Sequence, residues 1–271
     1  MRKRFLIPLV TIAFAALLFF RVLPGYMEST MNRIDGQPLI EVGPEAKALH
    51  QSLNVVDLHS DTLMWDRELT EPSNRGHEDL PRLIAGNVAL QVFSSVTKTP
   101  KGLNYDANDS HSDVLPALLM AQGQPRRTWF GLLERSLFHA HKLDVSVSLS
   151  NGMLRKVTDR YGLDQLLAAR ATPGGPVGAL LSIEGLQNLE GKIGNLDKLY
   201  DAGFRMAGLT HFFDNELAGS MHGMTKGGLT PFGREVVRRM EDIGMIVDVA
   251  HCSHACVADV LKIARRPVVS S

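Results

Sequence analysis

The chain has 271 residues, of which 44% are hydrophobic and 21% charged, and its 29 basic side chains balance 29 acidic ones. This composition is typical of a globular protein and excludes a disordered, collagenous or coiled-coil chain. With zero formal net charge and no basic stripe beyond the first four residues, nucleic acid is not expected as a partner. Two cysteines cannot form a disulfide framework, and the length suits an eight-fold β/α barrel, which usually takes about 250 residues.

The chain begins with a basic segment followed by an apolar one. Basic residues at positions 2–4 precede an unbroken run of apolar or small residues over positions 5–20. Such a pattern is typical of a signal peptide or a signal anchor. The residues from Arg21 onward are too bulky for a small-x-small cleavage site, so we expect residues 1–25 to be an uncleaved anchor. Because basic residues stay on the cytoplasmic side, we expect the body on the extracytoplasmic side, in a periplasm or outside the cell.

The remaining sequence predicts a polar stalk and first helix at 26–49, followed by a globular body at 50–271. Within the body, amphipathic helices alternate with β-branched apolar strands, which indicates a parallel sheet. The clearest helix has Thr230 as its cap, Pro231 at its first position and Gly244 at its end.

Six strands are expected, at 54–58, 88–94, 177–183, 204–209, 245–249 and 267–270, with helices at 163–170 and 196–202 and a turn at 173–175. Residues 98–150 break this rhythm and are interpreted as an insertion with helices near 114–122 and 128–142. The fold class predicted is therefore α/β, with about the first six units of a (β/α)8 TIM-like barrel of the metal-dependent hydrolase type. A transmembrane or signal helix precedes it.

Polar residues follow four of these strands. They are Asp57, His59 and Asp61 after the first strand, and then Glu184, His211 and His251 after three later ones. A His-x-Asp pair alone is weak evidence, because such pairs are more often satisfied polar clusters. In a β/α barrel, however, the carboxyl ends of all strands meet at one face. Imidazoles and carboxylates gathered there suit zinc.

Metal-assisted hydrolysis is the chemistry that needs these residue types. A carboxylate can bridge two ions about 3.5–4 Å apart, which together lower the pKa of a shared water and make hydroxide near neutral pH. Glu184 is the natural bridge, because it follows an apolar run that places it in a dry site. The alternative is a structural role, in which Glu184 forms a salt bridge with a basic side chain at the barrel rim.

From about residue 46 onward the sequence resembles the membrane (renal-type) dipeptidases, a zinc peptidase branch of the amidohydrolase-like barrels. The resemblance lies in Asn215 and in segments 56–63, 79–83, 89–94, 182–185, 203–205, 209–211, 228–233 and 247–253. It implies two Zn²⁺ ions. His59 and Asp61 would bind one ion, Glu184 would bridge both, His251 would bind the second, and His211 would contact the substrate. The implied reaction is hydrolysis of dipeptides that carry a free α-amine and a free α-carboxylate.

The resemblance also implies residues that this sequence does not contain. In the family the second zinc takes another histidine just after a stretch like 266–271, and two further strands carry an arginine and an aspartate for the substrate. The sequence ends at Ser271. We therefore expect a truncated dipeptidase, which by itself is unstable, binds at most one metal ion tightly and hydrolyses no dipeptide.

Two other functions stay open at this stage. One is another binuclear amidohydrolase, acting on lactones, cyclic amides or deaminable bases. The other is a non-catalytic, membrane-anchored binding protein on the same scaffold. Whichever of these functions holds, a second copy of the chain is a candidate partner in a homodimer. No nucleophile elbow, P-loop or dinucleotide fingerprint occurs in a supporting context, which excludes serine hydrolases and nucleotide-dependent enzymes.

Other reactive side chains are interpreted as structural. Cys252 and Cys256 are expected to be free, partly buried thiols rather than zinc ligands, because the spacing lacks the usual paired knuckle. His139 and His141 are two residues apart on a predicted helix and are expected to be solvated. His222 lies in a loop from which it can approach the site, but a surface position is favoured.

Overall fold

Six parallel strands form one sheet in the computed structural model, which describes residues 2–38, 40–170 and 174–271. The strands are β1 (Val55–Asp57), β2 (Val88–Val96), β3 (Leu154–Lys156), β4 (Val177–Glu184), β5 (Phe204–Gly208) and β6 (Ile246–Asp248). Their order in the sheet is β1-β2-β4-β5-β6, and β3 pairs with the beginning of β4. This is the parallel sheet of a half-barrel, and the predicted α/β class is confirmed.

Helices connect the strands and precede the sheet. They are α1 (Arg2–Leu17), α2 (Leu23–Met31), α3 (Pro44–Ser52), α4 (Leu80–Ala85), α5 (Leu115–Ala121), α6 (Arg126–Phe130), α7 (Leu132–Leu149), α8 (Arg160–Ala169), α9 (Gly194–Asp201), α10 (Pro231–Ile243) and α11 (His254–Ile263). The sequence signals at α10 are confirmed, since the Thr230 side chain accepts a hydrogen bond from the Gly233 N–H and Gly244 is left-handed at φ 82°. Short 3-10 turns occupy Thr62–Met64 and Leu186–Leu189.

The core lies between the sheet and the helices that cover it. Leu181 and Ile183 of β4 are at most 1% exposed, as are Leu196 of α9 and Val236 of α10. Both faces of β4 are buried, which explains its nearly continuous apolar run. Gly178 permits close packing at the start of β4, because a Cβ there would overlap the side chain of Leu166 on α8.

Two strand predictions differ from the structure. β3 was not predicted, because its three residues include only one apolar side chain and are held by pairing with Val177–Ala179 of β4. The strand expected at 267–270 is reduced to one bridge, in which Val269 alone exchanges backbone hydrogen bonds with Val247 and Val249. The predicted turn at 173–175 begins at a residue that lies outside the described ranges.

The insertion contains three helices rather than the two predicted. Gly131 separates α6 from α7, because its backbone is extended at φ −83° and ψ 113°. A side chain does not fit there, since a Cβ would lie 2.9 Å from the carbonyl oxygen of Arg127. α7 then continues to Leu149, seven residues beyond the predicted end. His141 is exposed on α7, as expected.

The expectation that His139 is solvated is wrong. Its side chain is 1% exposed, and its Nδ1 atom lies 2.8 Å from the hydroxyl oxygen of Ser95 at the carboxyl end of β2. Ser136, one turn earlier on α7, bonds the same hydroxyl at 2.9 Å. Burial lowers the pKa of His139 to about 3, so the imidazole is neutral.

The expectation of free thiols is also wrong. The sulfur atoms of Cys252 and Cys256 are in disulfide contact, and both residues are buried around the start of α11. His254 is exposed at the first position of that helix.

The predicted N-terminal apolar helix is present. α1 continues through a π-helical segment, Leu18–Val22, directly into α2. Residues Ile7–Met31 are long and apolar enough to cross a membrane, and the apolar side chains between Ile7 and Val22 are largely exposed.

Candidate metal centre

Side chains from four strand ends meet at the carboxyl edge of the sheet. His59 and Asp61 follow β1, Glu184 ends β4, His211 follows β5 and His251 follows β6. The ligand atoms of His59, Asp61 and Glu184 lie within 4.8 Å of one another, and so do those of Glu184, His211 and His251. The structure therefore brings together the five residues to which the resemblance assigned a role, whereas Asp57, the sixth polar residue at these strand ends, is exposed outside the two groups.

Glu184 lies at the centre of this cluster. Its Oε1 atom is 3.0 Å from His251 Nε2, 3.2 Å from His211 Nε2 and 3.5 Å from His59 Nε2. Its side chain is only 9% exposed. Burial by itself raises the pKa of Glu184, but hydrogen bonds from His251 and His59 outweigh burial and hold this pKa well below its usual range. The centre of the cluster is therefore a carboxylate anion.

His59 lies between two carboxylates. Its Nε2 atom is 3.2 Å from Asp61 Oδ1, and the hydrogen bonds to Asp61 and then Glu184 raise the pKa of His59 to about 10. The acidic surroundings thus favour positive charge at this point, which a divalent cation would supply in place of the proton. Three imidazole nitrogens and two carboxylates are a donor set that fits zinc.

His211 differs from the other two histidines in its surroundings. It is 2% exposed, and its ring stacks on Phe212 with ring centroids 3.5 Å apart. Burial lowers the pKa of His211 to about 3. The imidazole is therefore neutral and held in one orientation.

Backbone turns aim the ligands into the site. The Asp57 carboxylate accepts a hydrogen bond from the N–H of His59 at 3.1 Å, and Asp248 does the same for Ala250 at 2.9 Å. Asp57 thus shapes the turn that carries His59. His251 itself has φ 61°, in the left-handed region that residues with a side chain seldom adopt. Such backbone strain concentrates at functional sites.

His222 is a site residue that the sequence analysis placed on the surface. It is 8% exposed, its Nδ1 atom lies 2.7 Å from the carbonyl oxygen of Tyr105, and its ring centroid is 5.5 Å from that of His251. The backbone carbonyl of His222 also accepts a hydrogen bond from the Asn108 N–H. No local pattern marks His222, because its burial depends on contacts with the distant insertion.

Two cavities adjoin the cluster. One of about 480 Å³ is lined by His59 and Asp61 together with residues that include Arg67 and Glu78. Burial raises the pKa of Glu78 to about 7. The other, of about 430 Å³, is lined by Leu103, Asn104, Tyr105, Phe212 and His222. The site thus has room beside the ligands for a small molecule.

A parallel half-barrel with imidazoles and carboxylates gathered at its carboxyl edge is the arrangement of metal-dependent barrel hydrolases. Residues 44–271 match the family model described as membrane dipeptidase (peptidase family M19), and the chain belongs to this family. The resemblance seen in the sequence is confirmed.

Related proteins agree with this assignment. The dipeptidase verJ of Clonostachys rogersoniana is 32% identical over 199 residues, which cover 72% of this chain and 45% of verJ. The crystal structure of the probable dipeptidase PvdM of Pseudomonas aeruginosa is similar with a TM-score of 0.65 at 19% identity, covering 83% of this chain and 54% of PvdM.

A metallopeptidase from Rhodobacter sphaeroides, solved with a phosphinate mimic of the dipeptide L-Ala-D-Ala, has a TM-score of 0.62 at 19% identity and covers 80% of this chain. This chain covers 64% of the Rhodobacter protein. The sequence thus spans only about half to two thirds of the length of these three relatives.

Proposed function

We propose that the protein is a zinc-dependent dipeptidase whose two metal ions share Glu184. His59 and Asp61 would hold one ion, and His251 would hold the other. The observation that carries this proposal is the position of Glu184 Oε1, which faces the Nε2 atoms of His59, His211 and His251 at 3.0–3.5 Å. A buried carboxylate facing several imidazoles is the donor arrangement that a pair of dications would satisfy.

The residues of the site have distinct roles in the proposed hydrolysis. When bound, the ions would activate a water molecule and polarise the scissile carbonyl. Glu184 would supply the negative charge that holds both ions. His211, which is neutral and fixed by its stacking on Phe212, would hydrogen bond to the substrate at the reacting carbonyl. Such positioned imidazoles contribute by stabilising developing charge.

Dipeptides are the substrate class that the family and its relatives support. The chain belongs to the membrane dipeptidase family, verJ is a dipeptidase, and the Rhodobacter metallopeptidase holds a dipeptide mimic. Lactones, cyclic amides and nucleobases define the alternative enzyme class, and a metal-free binding protein defines the non-enzymatic alternative. The family assignment favours peptide hydrolysis over both.

The N-terminal helix is proposed to anchor the body on the extracytoplasmic side of a membrane. The exposed apolar side chains between Ile7 and Val22 and the basic residues at positions 2–4 support this proposal. Protease protection in sealed vesicles tests it. A body that is digested only from the cytoplasmic side would contradict the topology.

The dipeptidase proposal is tested in detergent on the full-length protein, meaning the product of the whole reading frame, because this chain spans only about half to two thirds of the length of the relatives. We expect about two zinc ions per chain by elemental analysis, hydrolysis of dipeptides, loss of activity with a chelator and recovery with Zn²⁺. A panel of dipeptides, lactones and cyclic amides separates the enzyme classes. Metal-free protein without hydrolysis would support the binding protein instead. Light scattering on the same sample tests whether a second copy of the chain is a partner.

A further inference from the structure

The helix that follows the apolar segment is attached to the body by an ion pair. Glu28 of α2 has its Oε1 atom 2.8 Å from the Nε atom of Arg67, and the two side chains are only 12% and 11% exposed. Arg75 adds a second connection, because its guanidinium donates a hydrogen bond to the carbonyl oxygen of Gly25 at 3.0 Å. Removing one partner of a buried ion pair leaves an uncompensated charge, so such pairs resist separation.

Arg67 also holds the loop that carries two proposed metal ligands. Its Nη2 donates a hydrogen bond to Thr62 Oγ1 at 2.9 Å, and its Nη1 donates to the carbonyl oxygen of Arg75 at 2.8 Å. Thr62 directly follows Asp61 and begins the 3-10 turn Thr62–Met64. One guanidinium group therefore connects α2 to the residue next to Asp61.

The surrounding loop is shaped around this contact. Gly76 has φ +71°, and a Cβ at this position would overlap the guanidinium of Arg67. The Gly76 N–H donates a hydrogen bond at 2.6 Å to the carbonyl oxygen of Asn32, the residue directly after α2. Asn32, Arg67 and Gly76 line the same 480 Å³ cavity as His59 and Asp61. The end of α2 is thus part of the wall of the candidate site.

A second surface holds the same helix. Both α2 and the π-helical segment Leu18–Val22 contact α5 of the insertion. Beyond α2, residues 33–38 are exposed. α2 therefore contacts the body both at the loop that holds Arg67 and Gly76 and at α5, and the exposed segment comes after α2 rather than before it.

We infer that α2 is a permanent support of the metal site, in which Glu28 and Arg67 are positioning residues that hold the His59–Asp61 loop. This inference rests on the proposed metal site for its effect on metal binding, but the docking of α2 is independent of that site. Cleavage of the N-terminal segment as a leader would leave the Arg67 guanidinium without its carboxylate partner. The body is accordingly fixed close to the membrane rather than carried on a flexible stalk.

The docking is tested by cutting the exposed segment. A protease site inserted between Gly36 and Gln37 of the full-length protein separates the membrane helix from the body in isolated membranes. We expect the cut body to stay with the membrane pellet in the parent protein and to be released in Glu28→Ala and Arg67→Ala. Asp197→Asn is the matched control, because it breaks an exposed ion pair with Arg239 between α9 and α10, and its body should stay bound.

Release of the cut body from the parent protein would overturn the inference, and so would retention in both alanine variants. Since Ala variants can fail to fold, Glu28→Gln, which keeps the size of the side chain, is measured alongside them by thermal melting. If Glu28→Gln is folded and its cut body is released from the membrane, the ion pair with Arg67 is the attachment.

The positioning role is tested by zinc titration of the same variants. We expect Glu28→Gln and Arg67→Lys to weaken the affinity for one of the two proposed zinc ions, the one held by His59 and Asp61, by about tenfold, as is typical for residues that orient metal ligands. Asp197→Asn should have the zinc affinities of the parent protein. Equal affinities in all variants would overturn the positioning role. If the parent protein binds no zinc, the proposed function fails, and the membrane assay still decides whether α2 is docked.

Discussion

The Nε2 atom of His251 lies 3.0 Å from Oε1 of Glu184, although 67 residues separate the two in the chain. Glu184 ends β4, and His251 follows β6, which is two strands away in the sheet. The contact forms because all strands are parallel and their carboxyl ends share one edge. The left-handed backbone at His251 keeps its ring at this edge. Glu184 also lies 3.5 Å from His59, so under the proposed function it is the residue that both ions share.

Glu184→Gln should therefore lower the amount of bound metal and nearly abolish turnover. An amide cannot balance the charge of two dications, so we expect fewer than one ion per chain and a loss of kcat/KM of about 10³-fold, equal to about 4 kcal/mol. Elemental analysis and dipeptide assays measure both. Glu235→Gln, an exposed glutamate on α10, is the control. Two retained ions with near-normal activity would show that the bridge is assigned wrongly.

His211→Ala should damage catalysis without removing metal. His211 is assigned to the substrate although its Nε2 atom lies 3.2 Å from Glu184 Oε1. We expect both ions to remain and kcat/KM to fall about 10²-fold, within the range for a residue that assists proton transfer or charge stabilisation. His251→Ala, in contrast, should lose one ion. Loss of an ion from His211→Ala would make His211 a ligand.

His222→Ala should weaken substrate binding. Because Nδ1 of His222 is bonded to the Tyr105 carbonyl, Nε2 is the ring nitrogen left to contact a substrate in the adjoining cavity. One lost hydrogen bond predicts an increase in KM of up to about tenfold with unchanged metal content. His254→Ala, an exposed histidine at the start of α11, serves as the control. An unchanged KM would assign His222 a structural role only.

Stability should fall in mildly acidic solution because of His139. Its pKa is about 3 in the folded protein, against an ordinary value of 6.5. Between these values the unfolded chain binds a proton that the folded chain does not. The free energy of unfolding should thus decrease by about 1.4 kcal/mol per pH unit as the pH falls below 6.5.

Urea unfolding of the parent protein and His139→Gln at pH 7 and pH 5 measures this effect. Because all other groups titrate equally in both proteins, the difference between their changes in free energy of unfolding from pH 7 to pH 5 is the contribution of His139. The control is His141→Gln, which alters an exposed neighbour on the same helix. If the parent and His139→Gln lose equal stability between the two pH values, the imidazole of His139 is not buried neutral.

Local patterns in the sequence were sufficient to predict the main strands, the caps of α10 and the five residues of the cluster. β-branched apolar runs, Thr230 and Gly244 act through neighbouring residues, so their effects can be read without knowledge of the fold. The parallel order of helices and strands then placed Glu184 and the histidines at one edge. The identities of these residues and the direction of the strands were enough for that step.

Other features depended on contacts between distant parts of the chain. β3 exists through its pairing with β4, His139 is buried by Ser95 and Ser136, and His222 is covered by Tyr105 from the insertion. The attachment of α2 through Glu28 and Arg67 likewise joins residues that no short pattern relates. Hydrophobic periodicity and capping reach only a few residues along the chain, whereas burial and ion pairing are decided by whichever segments the folded chain brings together. The sequence by itself thus predicted which residues form the candidate metal centre, and the tertiary structure decided which polar side chains surround and support them.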